Sequence, residues 1–296
     1  MKKMRSDSTH EFGIAHAFVA TIRVVRPYFT TLSILCYMAG LLFASKMIDG
    51  VLPSDGLVLW GSVVILLLYS GGCVLDAIYD RPIDVETNPE RASEISPQRS
   101  WIIFCALLVV GLPLAYFVDW RLFLIGVLLV PIGFIYQSQH FTNANLRNAM
   151  YVAYTYLAPF LAGYILIGGI VDAHLIAWMV LLFIWGFSIR LVKDFEDMKE
   201  DTKLKRLSLP LKYGVDRGAR LVAVLLFTPF VLAPIPFAFL GLDTKYLVVM
   251  SMLSLTLAIV AIRFLRNPIK EGSGVYHNVT YLLAHLIPFA IILGVI

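Results

Sequence analysis

The sequence predicts an all-α polytopic membrane protein, a bundle of about nine transmembrane helices with Asp-rich loops on the cytoplasmic side. Three observations predict it. Of 296 residues, 59% are hydrophobic and only 15% charged, with a mean hydropathy of +0.80, whereas a soluble domain carries roughly a quarter charged residues. Apolar stretches long enough to cross a bilayer, about 17–25 residues each, recur along the chain. Of the 24 Lys and Arg residues, only Lys46, Arg121 and Lys245 fall in alternate connecting segments, the asymmetry expected when basic residues stay on the cytoplasmic side.

In chain order, "HEFGIAHAFVATIRVV" (10–25) places Phe12, Ala15, Phe18, Val19 and Ile22 on one helical face, which suits an interfacial segment over 1–26. No small-residue cleavage site follows it, so a removable signal peptide is not expected. Spans are drawn at 27–48, 56–79, 101–118, 120–137, 149–170, 173–192, 219–240, 244–264 and 276–296. With the N-terminus cytoplasmic, the segments 80–100 and 193–218 become cytoplasmic loops of one domain, 1–296. The net charge of +4 follows from the retained Lys and Arg, so no nucleic-acid partner is needed. Cys36, Cys73 and Cys105 all fall within spans and read as packing residues. His285 reads as a hydrogen-bonded helix contact.

Two acidic stripes stand out because a carboxylate near hydrocarbon is costly unless paired, hydrated or metal-bound. Asp76, Asp80 and Asp84 are spaced i, i+4, i+8 at the end of the second span, and Arg190, Asp194, Asp197 and Asp201 are spaced i, i+4, i+7, i+11 at the end of the sixth. Each set stays on one helical face. Both lie on the same side of the membrane. All-oxygen acidic sites favour hard cations, and Mg2+ binds through one or two carboxylates plus phosphate oxygens. Arg23, Arg26, Arg91, Arg190, Lys193 and Lys203 are candidate donors to phosphate. The competing reading is a solvated face laced with pairs such as Lys193 with Asp197.

The motifs "DAIYDRPID" (76–84), "DMKED" (197–201) and "LKRLSLPLKYG" (204–214) resemble the UbiA superfamily of intramembrane prenyltransferases. That family has nine transmembrane helices and two Asp-rich motifs, after the second and sixth. The resemblance implies Mg2+ as cofactor, two ions bridging a polyprenyl diphosphate. It implies Asp76, Asp80, Asp197 and Asp201 as catalytic residues, with Asp84 and Asp194 added as metal ligands. It also implies transfer of the prenyl group to a quinone-precursor, aromatic or lipid-like acceptor. Tyr136, Arg147, Asn148, Tyr151 and Tyr154 are the acceptor candidates, and the prenyl tail is expected between the second, fourth, fifth and sixth spans near Tyr151, Tyr154 and Trp185.

Three features depart from the family pattern. Asp76 stands where Asn is commoner, "RASEIS" (91–96) replaces the usual Arg-Pro-x-x-x-Gly, and Pro82 is expected to end or kink the second helix before Asp84. A terpene cyclase on the same scaffold is the alternative function. A secondary transporter fits less well, because its carboxylates would sit at mid-depth. The Asp-Gly-x-x-Ala-Arg string of a CDP-alcohol phosphotransferase is absent.

Overall fold

The computed structural model describes residues 19–48, 50, 52–87, 95–137, 143–168, 170–269 and 273–296. Among these, nine helices are long and apolar enough to cross a membrane and no strand occurs. The elements are α1 (Pro27–Ile48), α2 (Asp55–Thr87), α3 (Pro97–Val118), α4 (Trp120–Gln137), α5 (Ala144–Leu166), α6 (Ala173–Glu196), short α7 (Met198–Lys203) and α8 (Leu209–Tyr213), α9 (Val215–Phe239), α10 (Thr244–Arg266) and α11 (Val275–Val295). The interfacial face expected from Phe12, Ala15 and Phe18 lies outside the described residues. Residues 19–25 are helical, with Val19 and Ile22 exposed.

Two helices run further than the apolar pattern alone indicates. Pro82 cannot donate to the Ile78 carbonyl, yet α2 continues through it to Thr87. Asp80 and Asp84 are therefore helical rather than in a loop. The Arg81 guanidinium donates to the Ile95 carbonyl, which ties this extended end to the start of α3. There Ser96 caps the helix, its hydroxyl accepting from the Arg99 N–H at 3.4 Å ahead of Pro97 in the first turn. On α6 the helix likewise runs to Glu196, and Asp197 occupies its C-cap.

Glycines allow the tightest crossing. A Cβ on Gly40 would overlap the Phe160 carbonyl, and one on Gly163 would overlap the Tyr37 carbonyl. The backbones of α1 and α5 thus touch, as small residues permit in membrane bundles. Trp178, Trp185, Tyr37, Tyr156 and Phe160 are fully buried around this crossing. Helices α3 and α4 form the periphery, with only 17% of each span buried and Val109, Phe117 and Leu128 turned outward. Cys36 and Cys73 are buried and Cys105 exposed, all as free thiols. His285 bridges α11 to α1 through the Tyr281 and Tyr28 carbonyls at 3.0 and 2.9 Å. Successive spans reverse direction, so the start of α1 and α5 meets the end of α2, α4 and α6. That meeting point is where the charges collect.

Candidate active site

A cavity of about 330 Å3 opens between α1, α2, α4, α5, α6 and α11. Its lining includes the carboxylates Asp76, Asp80, Asp84, Asp197 and Glu200 and the cations Arg26, Arg147, Arg190, Lys193 and Arg206. Five acids thus face five bases in one chamber. Asp84 is only 6% exposed and lines this chamber, so Pro82 does not turn it away from Asp80.

The α2 stripe is held by cations from two other elements. Asp76 pairs with Arg26 at 2.6 Å and accepts from the Gln137 side chain of α4 at 2.9 Å. Arg26 sits at φ 51, a left-handed conformation that costs a non-glycine residue about 1–2 kcal/mol. It precedes Pro27, which disfavours the right-handed helical region for its neighbour. The sharp turn directs the guanidinium into the cavity. Burial alone would lower the Arg26 pKa, but the neighbouring Asp76 and Asp80 outweigh it and hold the guanidinium above its ordinary value.

On α6 the spacing yields the pair expected from it, since Lys193 meets Asp197 at 2.8 Å and Glu196 at 3.2 Å. Glu196 in turn takes the Nδ1 of His277 at 3.1 Å. Arg190 lies 4.8 Å over the Tyr151 ring, and its Nε is buried without a hydrogen-bond partner among the described residues. Asp194 differs from its neighbours. Its carboxylate accepts from Asn148 at 2.8 Å and from the Leu209 N–H at 3.3 Å, so it fastens α5 and α8 to α6 and neither it nor Asn148 lines the cavity. The helix break at Asp197 ends the continuous stripe.

Asp201, on α7, is buried and stands 4.0 Å from Arg206. Burial is the main reason its pKa rises to about 6; the nearby Ser208 and Arg206 pull the other way, and Asp197 and Asp194 add to the rise. Asp201 does not line the cavity, but its backbone positions a residue that does. The Arg206 N–H bonds the Asp201 carbonyl at 2.8 Å and the Lys205 N–H bonds that of Thr202 at 3.2 Å, the two bonds of a Schellman cap. Lys205 takes the left-handed place at φ 53. Burial, then the neighbouring Arg147, lower the Arg206 pKa.

Of the remaining candidates, Tyr136, Arg147, Tyr151 and Tyr154 line the cavity. Arg147 is 5.1 Å over the Tyr136 ring, and its Nη1 is buried with no partner among the described residues. Lys203 lies outside and pairs with Glu86 at 3.4 Å, joining the ends of α2 and α7. Arg23 is exposed and off the lining, and Arg91 lies outside the described residues. Trp185 is in the core, not the cavity. Sequence reading missed Arg206, Gln137, Glu200, Tyr69, His277 and Tyr281, all of which line it. Two signals were present: Arg206 lies in "LKRLSLP" and Gln137 follows Tyr136 directly.

The chamber suits Mg2+ shared with a phosphate ligand. Among the described residues no three carboxylate, His or Cys groups converge as a complete cage, and Mg2+ is seldom bound by one, taking a few carboxylates plus substrate phosphates instead. Carboxylates from α2 face Asp197 across the cavity, while cations remain to meet anionic oxygens.

A family model described as the UbiA prenyltransferase family matches residues 32–274. The chain is similar to a digeranylgeranylglyceryl phosphate synthase of Methanococcus maripaludis strain C6, being 30% identical over 244 residues, or 81% of this chain and 85% of that one. Among solved structures it shares the fold of a UbiA homologue from Aeropyrum pernix K1, with TM-score 0.70, 14% identity and coverage of 88% and 94% of the two chains. It also shares the fold of a UbiA homologue from Archaeoglobus fulgidus bound to DMAPP and Mg2+, with TM-score 0.60, 18% identity and coverage of 92% and 98%.

Proposed function

Since the chain belongs to the UbiA prenyltransferase family, we propose that it transfers a prenyl group from an allylic polyprenyl diphosphate to the hydroxyl of a glyceryl phosphate lipid, releasing diphosphate. The observation that carries the donor half is the single chamber in which the α2 carboxylates face Asp197 with Arg26, Arg190 and Lys193 beside them. Asp76, Asp80, Asp84 and Asp197 would hold Mg2+, with Asp201 in support behind Arg206. When bound, the metal stabilises charge on the departing diphosphate. The cations hold the diphosphate oxygens in a low-dielectric site, where fixed charges act strongly. As the allylic C–O bond breaks, its electron pair leaves with the diphosphate. Tyr151 and Tyr154 line the cavity beside the prenyl chain, where aromatic rings would favour an electron-poor carbon. The acceptor oxygen then bonds that carbon and gives up its proton to the released diphosphate.

Two observations favour a phosphorylated acceptor. The relative's product name describes two geranylgeranyl groups on one glyceryl phosphate, a molecule completed by prenylating a glyceryl oxygen. Arg147 and Arg206 both line the cavity, the Arg147 Nη1 has no partner among the described residues, and burial and then Arg147 lower the Arg206 pKa, a pairing of cations that a shared anion would relieve. The retained Lys and Arg residues support a cytoplasmic cavity mouth and N-terminus.

The test is incubation of the reconstituted chain with geranylgeranyl diphosphate, Mg2+ and either geranylgeranylglyceryl phosphate or an aromatic acid, with products identified by mass spectrometry. A doubly prenylated glyceryl phosphate formed with Mg2+ and lost with EDTA is the expected result. Prenylation of the aromatic acid alone would overturn the acceptor assignment, and a cyclic hydrocarbon made without acceptor would favour the cyclase.

A further inference from the structure

The main cavity is too small for a long donor. A cavity of roughly 150 Å3 holds one benzene, so about 330 Å3 accommodates a diphosphate with only the first isoprene units. The rest of a twenty-carbon tail has to go elsewhere. Two further hollows, each of about 20 Å3, lie between α2, α4 and α5, one of them reaching α3. They are lined by apolar residues such as Ile65, Leu68, Ile125 and Leu129, and from Gly133 to Leu122 they follow about 16 Å of α4 at 1.5 Å per residue.

One side chain borders all three spaces. Tyr154 lines the main cavity and both hollows. Its ring lies against Gly72, where a Cβ would meet the Tyr154 hydroxyl at 2.7 Å and the ring at 3.0 Å. The hydroxyl donates to the Leu68 carbonyl at 3.2 Å, and the ring rests on Tyr69 at a centroid distance of 5.5 Å. Tyr154 also falls within the π-helical turn Ala153–Leu157 of α5, an irregularity that often marks functional positions.

We propose that Tyr154 is a chain-length gate: its ring separates the diphosphate cavity from the apolar seam between α2 and α4, and the distal isoprene units of a long donor enter that seam by displacing it. This rests on the reading of the chain as a prenyltransferase. One hydrogen bond to a backbone carbonyl, a ring contact with Tyr69 and close packing on Gly72 hold the gate. Displacing it costs little compared with placing several isoprene units against apolar side chains.

The test compares kcat/KM for dimethylallyl, geranyl, farnesyl and geranylgeranyl diphosphates with one acceptor, in the reconstituted chain and three variants. Tyr154→Ala should raise the geranylgeranyl-to-geranyl ratio by about tenfold, the scale on which small pocket changes discriminate. Tyr154→Phe, which removes only the Leu68 bond, should shift it the same way by less. Leu129→Trp fills both hollows without touching the main cavity, and should lower the ratio by about tenfold while sparing dimethylallyl diphosphate. Unchanged ratios in folded Tyr154→Phe and Leu129→Trp would overturn the gate and place the tail directly in lipid. The transferase reading would survive that result, whereas no turnover of any donor by the unaltered chain would overturn both.

Discussion

The bundle carries charged residues at both ends, and the two ends use them differently. At the end away from the cavity, Asp119 receives the Arg121 side chain in a two-point pair at 2.9 and 2.8 Å, plus the Arg121 N–H at 2.8 Å. The same guanidinium donates to the Ile165 and Leu166 carbonyls at the end of α5, at 2.6 and 3.2 Å. Asp172 caps α6 through the Leu175 N–H at 2.8 Å and takes the Tyr164 hydroxyl at 3.0 Å. These groups finish helix ends that would otherwise leave backbone atoms unpaired. At the cavity end, buried atoms of Arg147 and Arg190 have no hydrogen-bond partner among the described residues. The carboxylates there line an open chamber, two of them in contact with Arg26 and Lys193.

Backbone conformation divides along the same line. Away from the cavity the left-handed turns fall on Gly50, Gly168 and Gly241, whereas at the cavity end two of them fall on Arg26 and Lys205. Glycine takes this conformation without steric penalty. Arg and Lys do not, and strain of this kind concentrates where geometry serves function. The difference separates charges that finish helix ends from charges that line the chamber.

The sharpest way to break this contrast is to neutralise carboxylates at the cavity end. Asp80→Asn and Asp197→Asn keep volume but remove the anionic oxygen that a hard cation prefers. Each should lower turnover at least 100-fold, about 2.7 kcal/mol in barrier, with little loss of thermal stability. Asp84→Asn should cost a similar factor, because Asp84 lines the cavity despite Pro82. Steady-state rates at saturating Mg2+ measure this. Near-normal turnover in all three variants would show these residues to be a solvated face.

The next effect should be structural and at the other end. Arg121→Ala strips the Ile165 and Leu166 carbonyls and Asp119 of their donor, a loss of about 1 kcal/mol, since these contacts are only part-buried and water replaces part of them. The melting temperature in detergent should fall by a few degrees while kcat at low temperature is kept. A large loss of kcat with an unchanged melting temperature would dissolve the distinction between the two ends.

Much of this division was legible in the sequence. Apolar lengths indicated the helix number, and the i, i+4 spacings found the acids, since both are local properties of a regular helix. What was not legible depended on contacts between distant segments. Asp194 sits on the same stripe as Asp197, but only the packing of Asn148 and Leu209 reveals that its oxygens are occupied. Arg206 reaches the cavity through the left-handed turn at Lys205, which spacing cannot show because Lys rarely takes that place. Pro82 reads as a helix stop on local grounds, yet α2 continues through it, its extended end tied to α3 through Arg81 and Ile95.

The smallest expected effect sets the two ends against each other by pH. Asp119 is held below its ordinary pKa chiefly by the hydrogen bonds from Arg121. For Asp172, bonds from Leu175, His174 and Tyr164 outweigh a burial that would raise it. A lowered folded pKa means that both stabilise the fold above the unfolded carboxylate value, about 3.9, and that this stability is lost as pH falls through their lower folded values. Asp201 is opposite in sign. With its folded pKa raised to about 6, mainly by burial, the folded chain keeps a proton that the unfolded chain releases. Its contribution is fully present below about pH 3.9 and is lost as pH climbs to about 6. In metal-free buffer the melting temperature should therefore carry a component that declines between pH 4 and pH 6, and Asp201→Asn should remove that decline. Asp119→Asn should instead alter only the acid limb. Parallel curves for Asp201→Asn and the unaltered chain across this window would show that the buried Asp201 carboxylate is not the strained group its surroundings imply.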